Sequence, residues 1–179
     1  MRIAVTGASG FVGRHVLGEL AARGIETVAV TRSEPPPQAG ESCAEWVRMD
    51  IANAPDGAYA LLGRPDALIH LAWGGLPNYR SLHHFETELP AQYRFLRGLV
   101  EAGLDNLLAV GTCFEYGMQS GPLAEDLEAR PTNPYGFAKD CLRRQLQYLR
   151  SIRPFNLVWA RLFYLFGEGQ AENSLLPQL

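Results

Sequence analysis

The chain has 179 residues, enough for one domain with a sizeable core, and its 47% hydrophobic and 20% charged residues exclude a disordered chain. A net charge of −3 with scattered Arg and Lys leaves no basic surface for nucleic acid as a partner. No run approaches the ~20 apolar residues of a membrane span, so no membrane association is expected.

Residues 2–6 (RIAVT) form a short apolar run rich in β-branched side chains and read as a buried strand. Gly7-Ala8-Ser9-Gly10-Phe11-Val12-Gly13 follows, and a helical pattern runs from Phe11 to about Arg23. Strand, glycine turn and helix in this order are the setting of a dinucleotide-binding turn. Gly7 permits the tight turn, Gly10 lets backbone N–H groups approach a pyrophosphate, and Gly13 lets the helix pack close to the sheet. Ser9, Phe11 and Val12 complete the turn, and the helix N-terminus faces the phosphates with its positive end.

Gly24 ends that helix, and residues 25–31 are the second strand. An acid after it would bond the adenosine ribose hydroxyls. Here the strand ends Thr31-Arg32-Ser33, and Arg32 can pair with a 2′-phosphate while Thr31 and Ser33 donate to it. That favours NADP(H), with NAD(H) as the alternative; a solvated loop arginine is the other reading of Arg32. Residues 33–40, with three consecutive prolines, read as a surface loop.

Residues 46–49 are the third strand, followed by Asp50 and Ile51 at the adenine side. Asp50 either accepts from the adenine amino group or caps a helix over about residues 55–62. Residues 67–71 (ALIHL) are the fourth strand, and Leu71 and the small Ala72 lie where the nicotinamide ribose would approach. His70, inside the apolar run, reads as a satisfied core histidine. Residues 74–80 form a loop at a carboxyl strand end, where open α/β sheets bind ligands.

From His83 to Ala102 the apolar residues recur at three or four, an amphipathic helix that Pro90 should bend and Gly103 should end. Residues 107–111 are the fifth strand. Thr112 at its end can bond a substrate oxygen, or simply the backbone. Residues 117–132 form a polar, irregular loop on the substrate side. Pro134 opens the helix over residues 135–152, residues 156–161 are the sixth strand, and residues 163–169 leave its end. Tyr135 and Lys139 stand one turn apart on one helix face. A nearby ammonium favours phenolate and lowers the tyrosine pKa from its reference of ~10, so Tyr135 can exchange a proton with a sugar or alcohol oxygen at neutral pH. Strands alternating with helices predict an α/β doubly wound parallel sheet, a Rossmann fold, with right-handed crossovers.

The three cysteines, Cys43, Cys113 and Cys141, lack metal-ligand spacing, so no metal is expected, and their odd count argues against a disulfide framework. Met1-Arg2 leads straight into a strand with no apolar leader, and a reducing cytoplasm is the expected setting.

TGASGFVG at residues 6–13, HLA at 70–72, GTCFEYG at 111–117, PYGFAK at 134–139 and RLFYLFG at 161–167 stand in order over essentially the whole chain. Together they resemble the extended short-chain dehydrogenase/reductase family, nearest its NAD(P)-dependent nucleotide-sugar epimerase/dehydratase branch. The resemblance implies a Rossmann domain followed by a small lobe that binds a nucleotide-sugar. It implies Tyr135 as general acid/base, Lys139 on the nicotinamide ribose and lowering the tyrosine pKa, and Thr112 holding the reacting oxygen. Dehydratases of this branch carry Asp-Glu directly after the Ser/Thr; Cys113 and Phe114 stand there and supply neither acid nor base. Glu115 comes one position later, on what reads as a strand pointing it to the other face. Many relatives have Asn at the positions of Glu88 and Tyr164.

Relatives of this kind continue for roughly another hundred residues, the size of a second lobe. The expected division is therefore a cofactor domain over residues 1–170 and the start of a substrate lobe, largely absent from this chain, over residues 171–179. The expected activity is NADP(H)-dependent reduction of a nucleotide-linked 4-keto-6-deoxy sugar. The alternatives are a 4-epimerase holding NAD tightly and a non-catalytic NAD(P)-binding regulatory protein. Tyr93, Leu96, Leu142, Leu146 and Leu149 either form the four-helix-bundle face of a homodimer or belong to the core.

Overall fold

A computed structural model describes residues 1–35 and 44–170. Cys43, most of the proline loop and the 171–179 segment lie outside the described residues. Among the described residues six parallel strands make one sheet: β1 (Arg2–Thr6), β2 (Glu26–Thr31), β3 (Ala44–Arg48), β4 (Ala67–His70), β5 (Asn106–Thr112) and β6 (Asn156–Leu162). Their order is β3-β2-β1-β4-β5-β6, the doubly wound Rossmann arrangement. Register is set by β1, where Val5 stands opposite Ala29 on one side and Ile69 on the other. The order reverses between β1 and β4, so the crevice that binds ligands in such sheets opens at their carboxyl ends.

Helices cover both faces. On one, α1 (Phe11–Ala22) lays Leu17 and Leu20 over Ile3, Val5 and Ala29. On the other, α2 (Ala58–Leu61), α3 (Leu89–Glu101) and α4 (Pro134–Ile152) close the larger core around Leu68, Leu96, Leu99, Leu107, Leu142 and Leu146. Burying each leucine removes it from water at about 1.5–3 kcal/mol, which makes this the layer that fixes where α3 and α4 stand. Leu96, Leu142, Leu146 and Leu149 are therefore core, with Tyr93 packed against them, and are not a free dimer face.

Two expected helices differ. The one over residues 55–62 shrinks to the four residues of α2, preceded by a 3-10 turn, Ile51–Asn53. Asp50 caps that turn, accepting from the Ala52 N–H at 3.2 Å and from Asn53 Nδ2 at 2.7 Å, so its capping role is local. The helix before Gly103 is interrupted: a π-helical turn, His84–Glu88, precedes α3, and Pro90 falls in the first turn of α3. Proline lacks an N–H and crowds the carbonyl four residues back, and a wider turn relieves both. No helix among the described residues is long and apolar enough to cross a membrane.

Candidate dinucleotide cleft and the Tyr135–Lys139 pair

A cleft of about 500 Å3 opens at the carboxyl ends of β1, β2 and β4, with α3 as its far wall. Of the residues singled out in the sequence, Gly7, Ser9, Gly10, Arg32, Asp50, Ile51, Leu71 and Ala72 all line it. Phe11, Val12 and Gly13 instead form the first turn of α1, whose amides have no intrahelical acceptor. The glycines fit a dinucleotide. Gly7 has φ +70°, and a Cβ there would sit 2.8 Å from the Ala72 nitrogen. A Cβ on Gly13 would lie 2.3 Å from the Gly7 carbonyl oxygen, so only glycine lets α1 start this close to β1. Gly10 faces the cleft directly, which keeps the helix N-terminus open to a phosphate. Arg32 is exposed at the rim, and no described side chain pairs with it. A larger depression, about 700 Å3, lies between α4 and residues 125–129. Its arginines Arg143, Arg144 and Arg161 are held by Asp140 and Glu115.

Tyr135 and Lys139 open α4 as expected. Asn133 caps the helix, its Oδ1 accepting from the Gly136 N–H at 2.8 Å, and Pro134 occupies the first turn. A Cβ on Gly136 would lie 2.6 Å from the Phe114 carbonyl oxygen, so this glycine brings α4 against the turn after β5. Tyr135 sits among Trp73, Tyr79, His84 and Phe114, with ring centroids 5.2–6.2 Å away. The Thr112 side chain is close enough to the phenol to favour its ionised form. Thr112 Oγ1 accepts from the Phe114 N–H at 3.3 Å, the backbone use expected of this threonine.

The electrostatics of the pair differ from the expectation. Burial pushes the Tyr135 phenol well above its ordinary value, Tyr79 adds to the shift, and the Thr112 hydroxyl only partly opposes it. Lys139 is engaged elsewhere. Its ammonium donates to the Val110 carbonyl at 2.8 Å and lies 4.1 Å from the centre of the Trp73 ring, against 5.9 Å from that of Tyr135. Burial pulls Lys139 down to about 7, while Glu115 and Glu88 oppose the shift. Trp73 lines the cleft and Tyr135, Lys139 and Thr112 do not, so the indole stands between the pair and the cleft.

Glu115 is on a 3-10 turn, Cys113–Glu115, and not on a strand. Its buried carboxylate accepts from the Thr112 N–H at 2.8 Å, from Trp159 Nε1 at 3.1 Å and from Arg161 Nε at 2.7 Å. This acid is fully committed to holding the turn that carries Thr112.

His70 is a satisfied core residue. Thr6 Oγ1 lies 2.8 Å from Nδ1 and Gln92 Oε1 lies 2.8 Å from Nε2. Gln92 Nε2 then donates at 3.0 Å to Glu88 Oε2, which also takes the Gly74 N–H at 3.0 Å. His83 Nε2 lies 3.2 Å from Glu88 Oε1. Glu88 thus presents a tethered carboxylate at the cleft wall. Sequence reasoning passed over Trp73, His84 and Gln92. Gln92 carried a signal, standing one turn after Glu88 on the same helix face; the bond from Trp73 Nε1 to His84 Nδ1 at 3.1 Å carried none.

A glycine turn opening α1, a cleft where the strand order reverses and a buried Tyr-x-x-x-Lys helix beside it define a dinucleotide-binding domain of the Rossmann class. Residues 3–179 match the model of the NAD dependent epimerase/dehydratase family, and the chain belongs to that family. It is 33% identical over 181 residues to the dTDP-6-deoxy-L-talose 4-dehydrogenase (NAD(+)) of Aggregatibacter actinomycetemcomitans, matching 100% of this chain and 67% of that protein. It is 29% identical to the GDP-6-deoxy-D-talose 4-dehydrogenase of the same organism, again over 100% of this chain but 58% of the relative. Among solved structures, MoeE5 in complex with UDP-glucuronic acid and NAD superposes with a TM-score of 0.85 at 28% identity, covering 100% of this chain and 60% of that one. The chain thus spans about three fifths to two thirds of the length of these relatives.

Proposed function

We propose that the protein is an oxidoreductase acting at the 4-position of a nucleotide-linked 6-deoxy sugar, reducing a 4-keto group with NADP(H) as the preferred cofactor. The observation that carries this reading is buried Tyr135 in the first turn of α4, one helical turn before buried Lys139, with Thr112 at the carboxyl end of β5 and a glycine-lined dinucleotide cleft nearby. The dinucleotide, when bound along Gly7, Ser9, Gly10 and the first turn of α1, supplies the hydride. Thr112 orients the reacting oxygen and Tyr135 delivers a proton to it. A phenol held protonated by burial suits a proton donor, which favours the reducing direction. Lys139 binds the nicotinamide ribose.

Cys113 and Phe114 offer neither acid nor base, and Glu115 is occupied by Arg161 and Trp159, so water elimination finds no residue pair here. The 6-deoxysugar 4-dehydrogenases among the relatives support the sugar class, and the exposed Arg32 at the cleft rim, without a partner among the described side chains, supports NADP(H). The relative named for NAD(+) and the NAD of the MoeE5 complex make NAD(H) the competitor to test.

The test is NADPH and NADH oxidation with dTDP- and GDP-linked 4-keto-6-deoxy sugars, on the wild type and on Tyr135→Phe. The variant should lose at least about a hundredfold in turnover, the usual scale of general acid catalysis, and bind cofactor within about twofold of the wild type. Unchanged turnover in the variant, or no oxidation with any sugar, refutes the reading.

A further inference from the structure

The cleft wall carries one negative charge that the reaction described above does not use. Glu88 ends the π-helical turn before α3, with its side chain 15% exposed in the cleft. Its surroundings dictate its protonation state. The Gly74 N–H and Gln92 Nε2 both donate to Oε2, and His83 Nε2 faces Oε1. Gln92 is held at both ends, its Oε1 2.8 Å from His70 Nε2 and its amide nitrogen donating to Glu88. Two firm donors, the Gly74 N–H and the Gln92 amide, converge on Oε2, and they suit the ionised carboxylate. Burial opposes ionisation, but these bonds outweigh it and hold the carboxyl below its usual range.

The placement is close-built. A Cβ on Gly74 would fall 2.4 Å from Glu88 Oε1, so a glycine is needed for the carboxylate to reach the loop after β4. Trp73, next to Gly74, contacts both Tyr135 and Lys139, which puts Glu88 in the half of the cleft nearest the pair. Arg32 and Asp50 mark the opposite, adenosine half. The nicotinamide must lie in the first half to reach Tyr135. Its ring is cationic when oxidised and neutral when reduced; the rest of the cofactor is the same in both states.

We infer that Glu88 sets the redox preference of the cleft, its carboxylate holding the oxidised, cationic form of the nicotinamide cofactor over the reduced form. This rests on the dinucleotide reading of the cleft given above. Lys139 is the opposing charge, and Glu88 offsets it. A unit charge acting across a partly solvated site over somewhat less than a nanometre amounts to an order of about tenfold in an equilibrium constant. Effects of Glu88 on the pyrophosphate or riboses act on both redox states alike and cancel in the ratio.

The experiment is calorimetric titration of wild type and Glu88→Gln with NADP+, NADPH and 2′-phospho-ADP-ribose, which lacks the nicotinamide. Glutamine keeps the size and one acceptor. The ratio Kd(NADPH)/Kd(NADP+) should fall about tenfold in the variant, with 2′-phospho-ADP-ribose within about twofold, and Glu88→Asp should keep the wild-type ratio. An unchanged ratio in a Glu88→Gln protein that binds both forms overturns the inference and leaves the dinucleotide reading standing. Parallel losses for all three probes also overturn it, since they mark a merely structural residue. Should that variant not fold, Glu88→Ala is titrated with the same probes: a ratio about tenfold below wild type supports the inference and an unchanged ratio overturns it. Wild type binding none of the three removes the dinucleotide reading itself.

Discussion

Replacing Glu115 by glutamine tests how the turn that carries Thr112 is held. The carboxylate is 0% exposed, and each group around it is a donor: the Thr112 N–H at 2.8 Å, Trp159 Nε1 at 3.1 Å from both oxygens, and Arg161 Nε at 2.7 Å. Glutamine supplies one oxygen where the site needs two, and its amide turns an N–H toward a donor. The larger effect falls on Arg161. Its side chain is 12% exposed, and its remaining bonds go to the neutral Tyr116 hydroxyl and the Glu125 carbonyl. Arg143, 3.9 Å from Glu115, adds a second positive charge to the same neighbourhood. Breaking a buried pair from one side costs about 3–5 kcal/mol. Glutamine retains some bonding, so the lower end of that range is expected. At about 2–4 °C per kcal/mol for a chain of this size, the midpoint of thermal unfolding should fall by roughly 6–12 °C. Differential scanning calorimetry reads this directly. The companion variant Glu115→Gln/Arg161→Leu leaves no charge unpaired and should recover at least half of the loss. A midpoint within about 2 °C of wild type is inside the usual range for a surface change and would refute the assignment, as would a double variant no better than the single one.

Two further outcomes follow from the geometry. Arg32→Ala should weaken NADP+ binding about ten- to a hundredfold, the scale of a charged hydrogen bond lost to a phosphate, and leave NAD+ nearly unchanged; equal losses for both would remove the 2′-phosphate role. Stability should also depend on pH in two windows. Burial, with Lys139 adding to it, holds His70 at about 3 against an ordinary 6.5, so the unfolded chain binds the extra proton between those values. Folding stability from this site is therefore complete above about 6.5 and falls as pH drops toward 3, by up to ~1.4 kcal/mol per pH unit. Lys139, pulled to about 7 from 10.5, gives the same sign at higher pH, stability rising from about 7 upward. Urea midpoints measured from pH 5 to 9 in wild type and His70→Asn check this; an acid limb unchanged by the substitution would count against it.

What could be read from the sequence divides by range. The strands and the glycine turn were readable because their signals are local: β-branched apolar runs, and glycines placed between a strand and a helix. The doubly wound parallel sheet then followed from the alternation of strands and helices. The short α2 and the π-helical turn were not, because both depend on how α3 packs on the sheet once Pro90 has broken its ladder. Glu115 is the instructive case. Thr112-Cys113-Phe114-Glu115 has the spacing of a capping box, and both capping bonds form. The turn signal was in the sequence, but an apolar strand running into it invites a continued strand. The charge pairing of Glu115 with Arg161, 46 residues away, has no local trace at all.

The same divide explains Tyr135 and Lys139. A spacing of four on a helix puts two side chains on one face, and nothing more. The acidity of each is decided by what reaches it from elsewhere: Trp73 and Tyr79 from the loop after β4, the Val110 carbonyl from β5, and the depth at which Leu142 and Leu146 seat α4. Burial disfavours the charged form of both groups, which raises a phenol and lowers an ammonium. The two shifts therefore run in opposite directions, and the cation that spacing alone would place under the phenol rests instead on an indole, where its charge is offset by the ring and one carbonyl. In this setting the tyrosine keeps its proton and the lysine lies close to its own titration at neutral pH. Proton delivery to a ketone oxygen then depends on positive charge being brought to the phenol as the keto group binds, a requirement set by tertiary burial and invisible in the Y-x-x-x-K spacing.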